Sequence, residues 1–211
     1  MWQFKQGLLG TLSVLALSGC ATSALPVYAP PAVSNIENSH TYQTPFDVTW
    51  DKLVKNLSSD FFVINNIDKN SRLINVSFST QNPSEYIDCG ETTRTFKNAQ
   101  GEQNYQYKVA NSSEFLMANA QGHVTRVQRR TKLEGRMNIY VAPEDTKTLV
   151  TVNTKYILSI EVRGAMLGGP VFNPEVVTAD FSTKAPYVGP VFSCHAKGNI
   201  EARVHGFLAK S

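Results

Sequence analysis

The chain has 211 residues, 42% of them hydrophobic, with 20 Lys+Arg against 17 Asp+Glu. That is enough apolar material for one packed domain, and a net charge of +3 is too small to draw nucleic acid by bulk attraction. No apolar run approaches the roughly 20 residues that a membrane-spanning helix needs.

The first element is an address. Lys5 precedes a short apolar stretch, Leu8 to Leu17, which ends in Leu17-Ser18-Gly19-Cys20. A positive start, a brief apolar segment and small residues at the cut form a secretory signal peptide. A Cys directly after the cut makes it similar to bacterial lipoprotein signals, whose thiol takes the lipid. Residues 1–19 are therefore expected to be removed and Cys20 to be acylated, with palmitate among its chains. Several chains together hold a protein on a bilayer, at about 0.8 kcal/mol per buried CH₂. The next residues are Ala21 and Thr22, with no Asp. In bacterial lipoproteins that pattern implies the outer membrane, with the domain in the periplasm or exposed at the cell surface.

Cleavage leaves 19 Lys+Arg against 17 Asp+Glu, and leaves Cys89 and Cys194 once Cys20 carries lipid. An exported chain with two remaining cysteines is expected to join them in a disulfide. Closing a loop of about 100 residues contributes on the order of 4.7 kcal/mol in the chain-entropy model. The rival reading, a nucleophilic Cys beside His195, has no surrounding motif of a thiol enzyme.

Residues 20–43 carry Pro26, Pro30 and Pro31, several Ala, Ser and Asn, and no apolar periodicity. They read as a flexible tether, followed by one domain over 44–211. Thr44 is a candidate helix cap, Pro45 suits the first helical position, and Asp47 complements the helix dipole. Phe46, Trp50, Leu53, Val54 and Leu57 then form one amphipathic stripe. Phe61 to Ile67, a turn at Asp68 to Ser71, and the alternation Ile74, Val76, Phe78 read as a β-hairpin.

Residues 80–104 are polar and without clear period. Tyr105, Tyr107 and Val109 alternate, and Ser112 to Ala120 fits either a strand or a short helix. The strongest signal follows. Leu133, Gly135, Met137, Ile139 and Val141 share one parity, and Val150, Val152, Tyr156, Leu158, Ile160 and Val162 share another, around a turn predicted at Pro143 to Asp145. Two long alternating strands make an antiparallel hairpin with one buried face. Gly164 to Pro190 reads as loops with a strand near Val176 to Phe181. Ile200, Val204, Phe207 and Leu208 give a C-terminal helix. The expected class is α+β, an antiparallel sheet with an N-terminal and a C-terminal helix packed on one face.

Phe46-x-x-x-Trp50-x-x-Leu53-x-x-x-Leu57, with Phe62-x-Ile64 and Asp68-x-x-Ser71-x-Leu73-Ile74-x-Val76, resembles the opening unit of BamC-type lipoprotein domains. That resemblance covers about 30 residues. It implies a helix-grip module and a role in outer-membrane assembly. Tyr86-x-Asp88-Cys89-Gly90 and Cys194-x-x-x-Gly198-x-x-Glu201 resemble a paired-cysteine pattern of small envelope lipoproteins.

The chain has no His-Glu-x-x-His, Gly-x-Ser-x-Gly, phosphate-binding Gly loop or Cys-x-x-Cys. His40, His123, His195 and His205 are scattered and show no ligand spacing. No catalytic residue, metal ligand or cofactor is expected. Arg126, Arg130, Lys132 and Arg136 share one strand parity, with Arg129 beside them. Together they form a candidate interaction patch for lipid phosphate, anionic glycan or an acidic partner. The same charges would also protect an edge strand. The expected function is a non-enzymatic envelope scaffold that contacts other envelope proteins. The alternative is a helix-grip module that holds an apolar or lipid ligand.

Overall fold

The structure, a computed structural model, describes residues 20–33 and 35–209. The expected signal peptide, residues 1–19, lies outside the described residues. The N-terminal segment forms three short strands, β1 (Thr22–Ser23), β2 (Val27–Ala29) and β3 (Ser39–Tyr42). Helix α1 (Phe46–Ser59) leads into the hairpin β4 (Val63–Asp68) and β5 (Leu73–Thr80). After a short 3₁₀ turn come β6 (Ile87–Asp88), β7 (Glu91–Asn98), β8 (Gly101–Lys108) and β9 (Ser113–Ala118). The two longest strands are β10 (Val124–Glu144) and β11 (Lys147–Met166). The chain closes with β12 (Glu175–Ser182), β13 (Tyr187–Val188), β14 (Ser193–Ala196) and α2 (Asn199–Ala209).

The β10–β11 hairpin is the spine, continuously paired from Thr125↔Met166 to Glu144↔Lys147. Every odd residue of β10 from Val127 to Val141 is buried, while Arg130 and the even residues from Lys132 to Tyr140 are exposed. The hairpin closes over Asp145 and Thr146, with Asp145 at φ 54°, so the turn falls two residues later than the Pro143 signal suggests. Each spine strand changes partner along its length. β10 pairs with β9 near its start and with β5 beyond Leu133. β11 pairs with β3 near its start and with β12 beyond Lys155.

The helices cover only part of the buried face. Trp50, Leu53 and Leu57 of α1, with Ile200 and Val204 of α2, pack on Ile74, Val76, Leu133, Met137, Tyr156 and Leu158. The part around Val127 and Arg129 meets a second sheet instead, in which β7 pairs with β8, β1 and β2. There Tyr107 of β8 stacks on Phe115 of β9, with ring centroids 5.6 Å apart.

This corrects the expected α+β helix-grip arrangement. Strand accounts for 54% of the described residues and helix for 15%, so the fold is a β-rich antiparallel one. The difference lies in stretches with no readable period. Residues 80–104 carry few apolar residues, residues 112–118 fit either strand or helix by sequence, and residues 22–42 form strands too short to show alternation.

Two local expectations also change. The segment read as a flexible tether is fastened to the domain at three places, β1 and β2 on β7 and β3 on β11. The Asn38 side chain adds to this, donating to the Val152 carbonyl at 2.9 Å. At the start of α1 the cap residue is Pro45, with no side-chain capping bond. Thr44 bonds the Thr49 hydroxyl at 2.7 Å instead.

Candidate functional site

Arg129 is the one cation in the buried row of β10, and it is 8% exposed. Strand parity puts it there, on the same side as Val127 and Leu133. Its Nη1 donates to the Asn111 carbonyl at 3.2 Å and to Ser113 Oγ at 3.1 Å, and its Nη2 donates to the Val109 carbonyl at 2.8 Å. The guanidinium lies 4.9 Å from the centroid of Tyr107. Among the described residues no carboxylate pairs with it. A buried charge costs several kcal/mol unless it is compensated. Three neutral acceptors and one aromatic face supply only part of that compensation.

Arg94 of β7 approaches the same place. Its Nε donates to the Tyr107 hydroxyl at 2.9 Å, and its guanidinium lies 4.6 Å from the Phe115 centroid. Arg94 thus lies over the Phe115 ring and Arg129 over the Tyr107 ring of one stacked pair. Burial pulls the Arg129 guanidinium below its ordinary range; Tyr107 pulls it back up, and the Arg94 charge pushes it down again. An arginine stays charged through such shifts, so the site keeps two like charges side by side.

Both arginines line a cavity of about 160 Å³. Its walls are Tyr28, Thr92, Val109, Ile160, Val162 and Val177, and its rim carries Val191 and Phe192. Val191 is 75% exposed, whereas Phe192 is buried. An apolar cavity of roughly this size accepts a benzene-sized group. Apolar walls around two cations suit the end of an anionic, partly apolar molecule.

Cys89 and Cys194 lie outside the lining of this cavity, and Cys89 lines a separate open groove of about 360 Å³. They stand at disulfide distance, with Cα atoms 4.1 Å apart. Tyr28 locks the same region: its hydroxyl donates to the Cys89 carbonyl and accepts from the Ser193 amide at 3.0 Å. Gly90 has φ +74° and lies directly under Ala29 and the Tyr28 ring, where a side chain would collide.

The expected patch divides. Arg126, Arg130, Lys132 and Arg136 occupy the exposed face, and Arg129 is on the opposite one. Carboxylates also interleave with the exposed four. Arg126 pairs with Glu114 at 3.4 Å and Lys132 with Glu134 at 2.7 Å, while Arg130 sits opposite Glu161 in the ladder. Lys132 holds the Glu134 carboxyl below its usual range. Lys132 and Arg136 do flank a separate open groove of about 340 Å³ with Phe61, Val63 and Phe78. Cys20 is exposed and unpaired by any other cysteine.

Arg94, Tyr107, Phe115 and Tyr28 were not legible as a site: Tyr28 and Arg94 lie in stretches without apolar period, the alternation at Tyr105, Tyr107 and Val109 does not show what faces it, and the segment of Phe115 fits strand or helix. The Arg129 signal was present: it breaks a row of apolar residues at the buried parity. No family model, curated protein or solved structure matches the chain, so the BamC-type resemblance carries no further argument.

Proposed function

We propose that the chain is an outer-membrane lipoprotein, acylated at Cys20, that acts by binding, and that its cavity takes the anionic end of an amphiphile such as a fatty acid or lipid phosphate. The observation that carries this reading is Arg129, a buried cation without a carboxylate partner among the described residues, lining an apolar cavity with a second arginine. An anion seated between Arg94 and Arg129 would relieve both the unpaired charge and the repulsion between the two guanidiniums. The apolar walls would take the first carbons of its chain.

The test is calorimetric titration of the mature chain, with Cys20→Ala for solubility, using octanoate as the probe. Octanoate should bind and octylamine should not. Arg94→Gln and Arg129→Gln should each weaken octanoate at least tenfold, the loss of about one charge-assisted hydrogen bond. Arg94 is only half-buried, so its variant should keep the fold if the Arg129 variant does not. Equal octanoate affinity in wild type and Arg94→Gln would overturn the reading.

A scaffold role among envelope proteins has its own support in the groove between Phe61, Phe78, Lys132 and Arg136, where basic and apolar groups meet. That arrangement suits an acidic peptide with one apolar side chain. A photo-crosslinker at position 136 in intact cells should then trap a discrete protein, and a lack of any discrete adduct would count against the role.

A further inference from the structure

We infer that the domain does not swing on its anchor but sits directly against the bilayer, with the β11–β12 loop entering the lipid interface. The inference rests on acylation of Cys20. Its argument is the position of that residue and what surrounds it.

Only Ala21 separates Cys20 from β1, whose Thr22 and Ser23 pair with Lys97 and Phe96. Ser23 Oγ also accepts from the Ala118 amide at 2.9 Å. Cys20 itself lies against the β9–β10 turn: a Cβ on Gly122 would stand 4.0 Å from the Cys20 Cβ and 3.5 Å from the Ala21 carbonyl oxygen. Acyl chains leaving this thiol therefore fix the bilayer at one end of the molecule. With so little free chain between lipid and sheet, the nearby loops have no room to stand off.

Those loops are apolar where they are exposed. The Leu167 amide bonds the Val124 carbonyl at 3.0 Å, which brings the β11–β12 loop beside the same β9–β10 turn. The Phe172 ring and the Thr125 methyl both lie close to Gly164. Leu167 is 58% exposed, Val171 72% and Phe172 46%, and Leu25 beyond β1 is 89% exposed. Scattered exposed apolar residues need no explanation, but a group gathered at one end marks an interaction surface. The occupant is the bilayer, because the anchor brings the bilayer to this end. Each apolar side chain that enters removes area from water at about 25 cal/mol per Å². The opposite end of the spine, at Asp145, is on the order of 65 Å away along β10.

The full acylated protein is reconstituted in phosphatidylethanolamine–phosphatidylglycerol vesicles, with an environment-sensitive fluorophore on Phe172→Cys or on Asp145→Cys. Nitroxide-labelled lipid should quench the probe at 172 at least threefold more than the probe at 145. Flotation with the vesicles and the mass of the mature N-terminus test the anchor separately. Protein that floats, carries the acyl mass and shows equal, weak quenching at both positions overturns the seating while leaving acylation intact. Protein that fails to float and lacks the acyl mass overturns the anchor, and the seating with it. A second pair of labels, at Leu167→Cys and Thr146→Cys, guards against a local effect of the Phe172 change and should give the same contrast.

Discussion

At the scale of single residues, Arg129 and Gly135 stand out from the mostly apolar buried row of β10, and each reports on what lies above it. Gly135 faces Phe78 across the ladder, and a Cβ there would overlap the Phe78 ring. Phe78 is 5% exposed and packed among Phe62, Tyr86 and Tyr156, so displacing its ring would disturb three aromatic contacts. Gly135→Ala should therefore destabilise the domain by about 2 kcal/mol, a cost typical of overpacking. Phe78→Leu in the same chain should recover part of that loss. Urea unfolding of the single and double variants measures the coupling, and a wild-type midpoint for Gly135→Ala would refute the tight contact. Both exceptions could be seen in the alternation itself. What could not be seen is their cover, because Phe78 and Tyr107 come from other strands, and a strand's own alternation does not show which strand faces it.

At the scale of elements, legibility followed length. The spine hairpin, α1 and the β4–β5 hairpin are long enough for a period of 2 or 3.6 to repeat, and they form where the pattern predicts. β1, β2 and β3 run two to four residues each, and they are held mainly by main-chain hydrogen bonds, which leave no trace in side-chain pattern. Their prolines suggested a free tether, yet extended backbone is also what an added edge strand requires. Asn38 tests whether this segment contributes to stability. It is 8% exposed, and its amide donates to the Val152 carbonyl at 2.9 Å and to Asn153 Oδ1 at 2.8 Å. Asn38→Ala leaves both acceptors short of a donor, which should cost about 1–3 kcal/mol. The urea midpoint should fall at an unchanged slope. An unaltered midpoint would mean that the segment is not docked and that residues 20–43 behave as the free tether their composition suggests.

At the scale of the whole molecule, β3 meets the closing helix α2, and their junction carries a titratable group. His40 and His205 look unrelated in sequence, yet their rings pack edge to face at 4.2 Å. Tyr42 and His205 share a hydrogen bond of 2.8 Å between the phenol oxygen and Nδ1. Nε2 of His205 is buried without a hydrogen-bond partner. Burial pushes the His205 pKa down to about 4, His40 adds to the depression, and the Asn38 backbone and Glu37 carboxylate oppose it. Burial also raises the Tyr42 phenol to about 12, so Tyr42 stays neutral throughout the acid range. The unfolded imidazole titrates near 6.5, so below that pH the unfolded chain binds a proton that the folded chain refuses. Stability from this group is thus complete above pH 6.5 and is lost as pH falls towards about 4, by on the order of 2 kcal/mol. Between pH 6.5 and 5 most carboxylates remain ionised, which makes this the window to read. Wild-type unfolding free energy should decline across it, and His205→Gln, which has no proton to gain, should show a flatter profile. Parallel profiles for the two proteins would assign the acid sensitivity elsewhere and leave the β3–α2 junction as a contact without a titrating member.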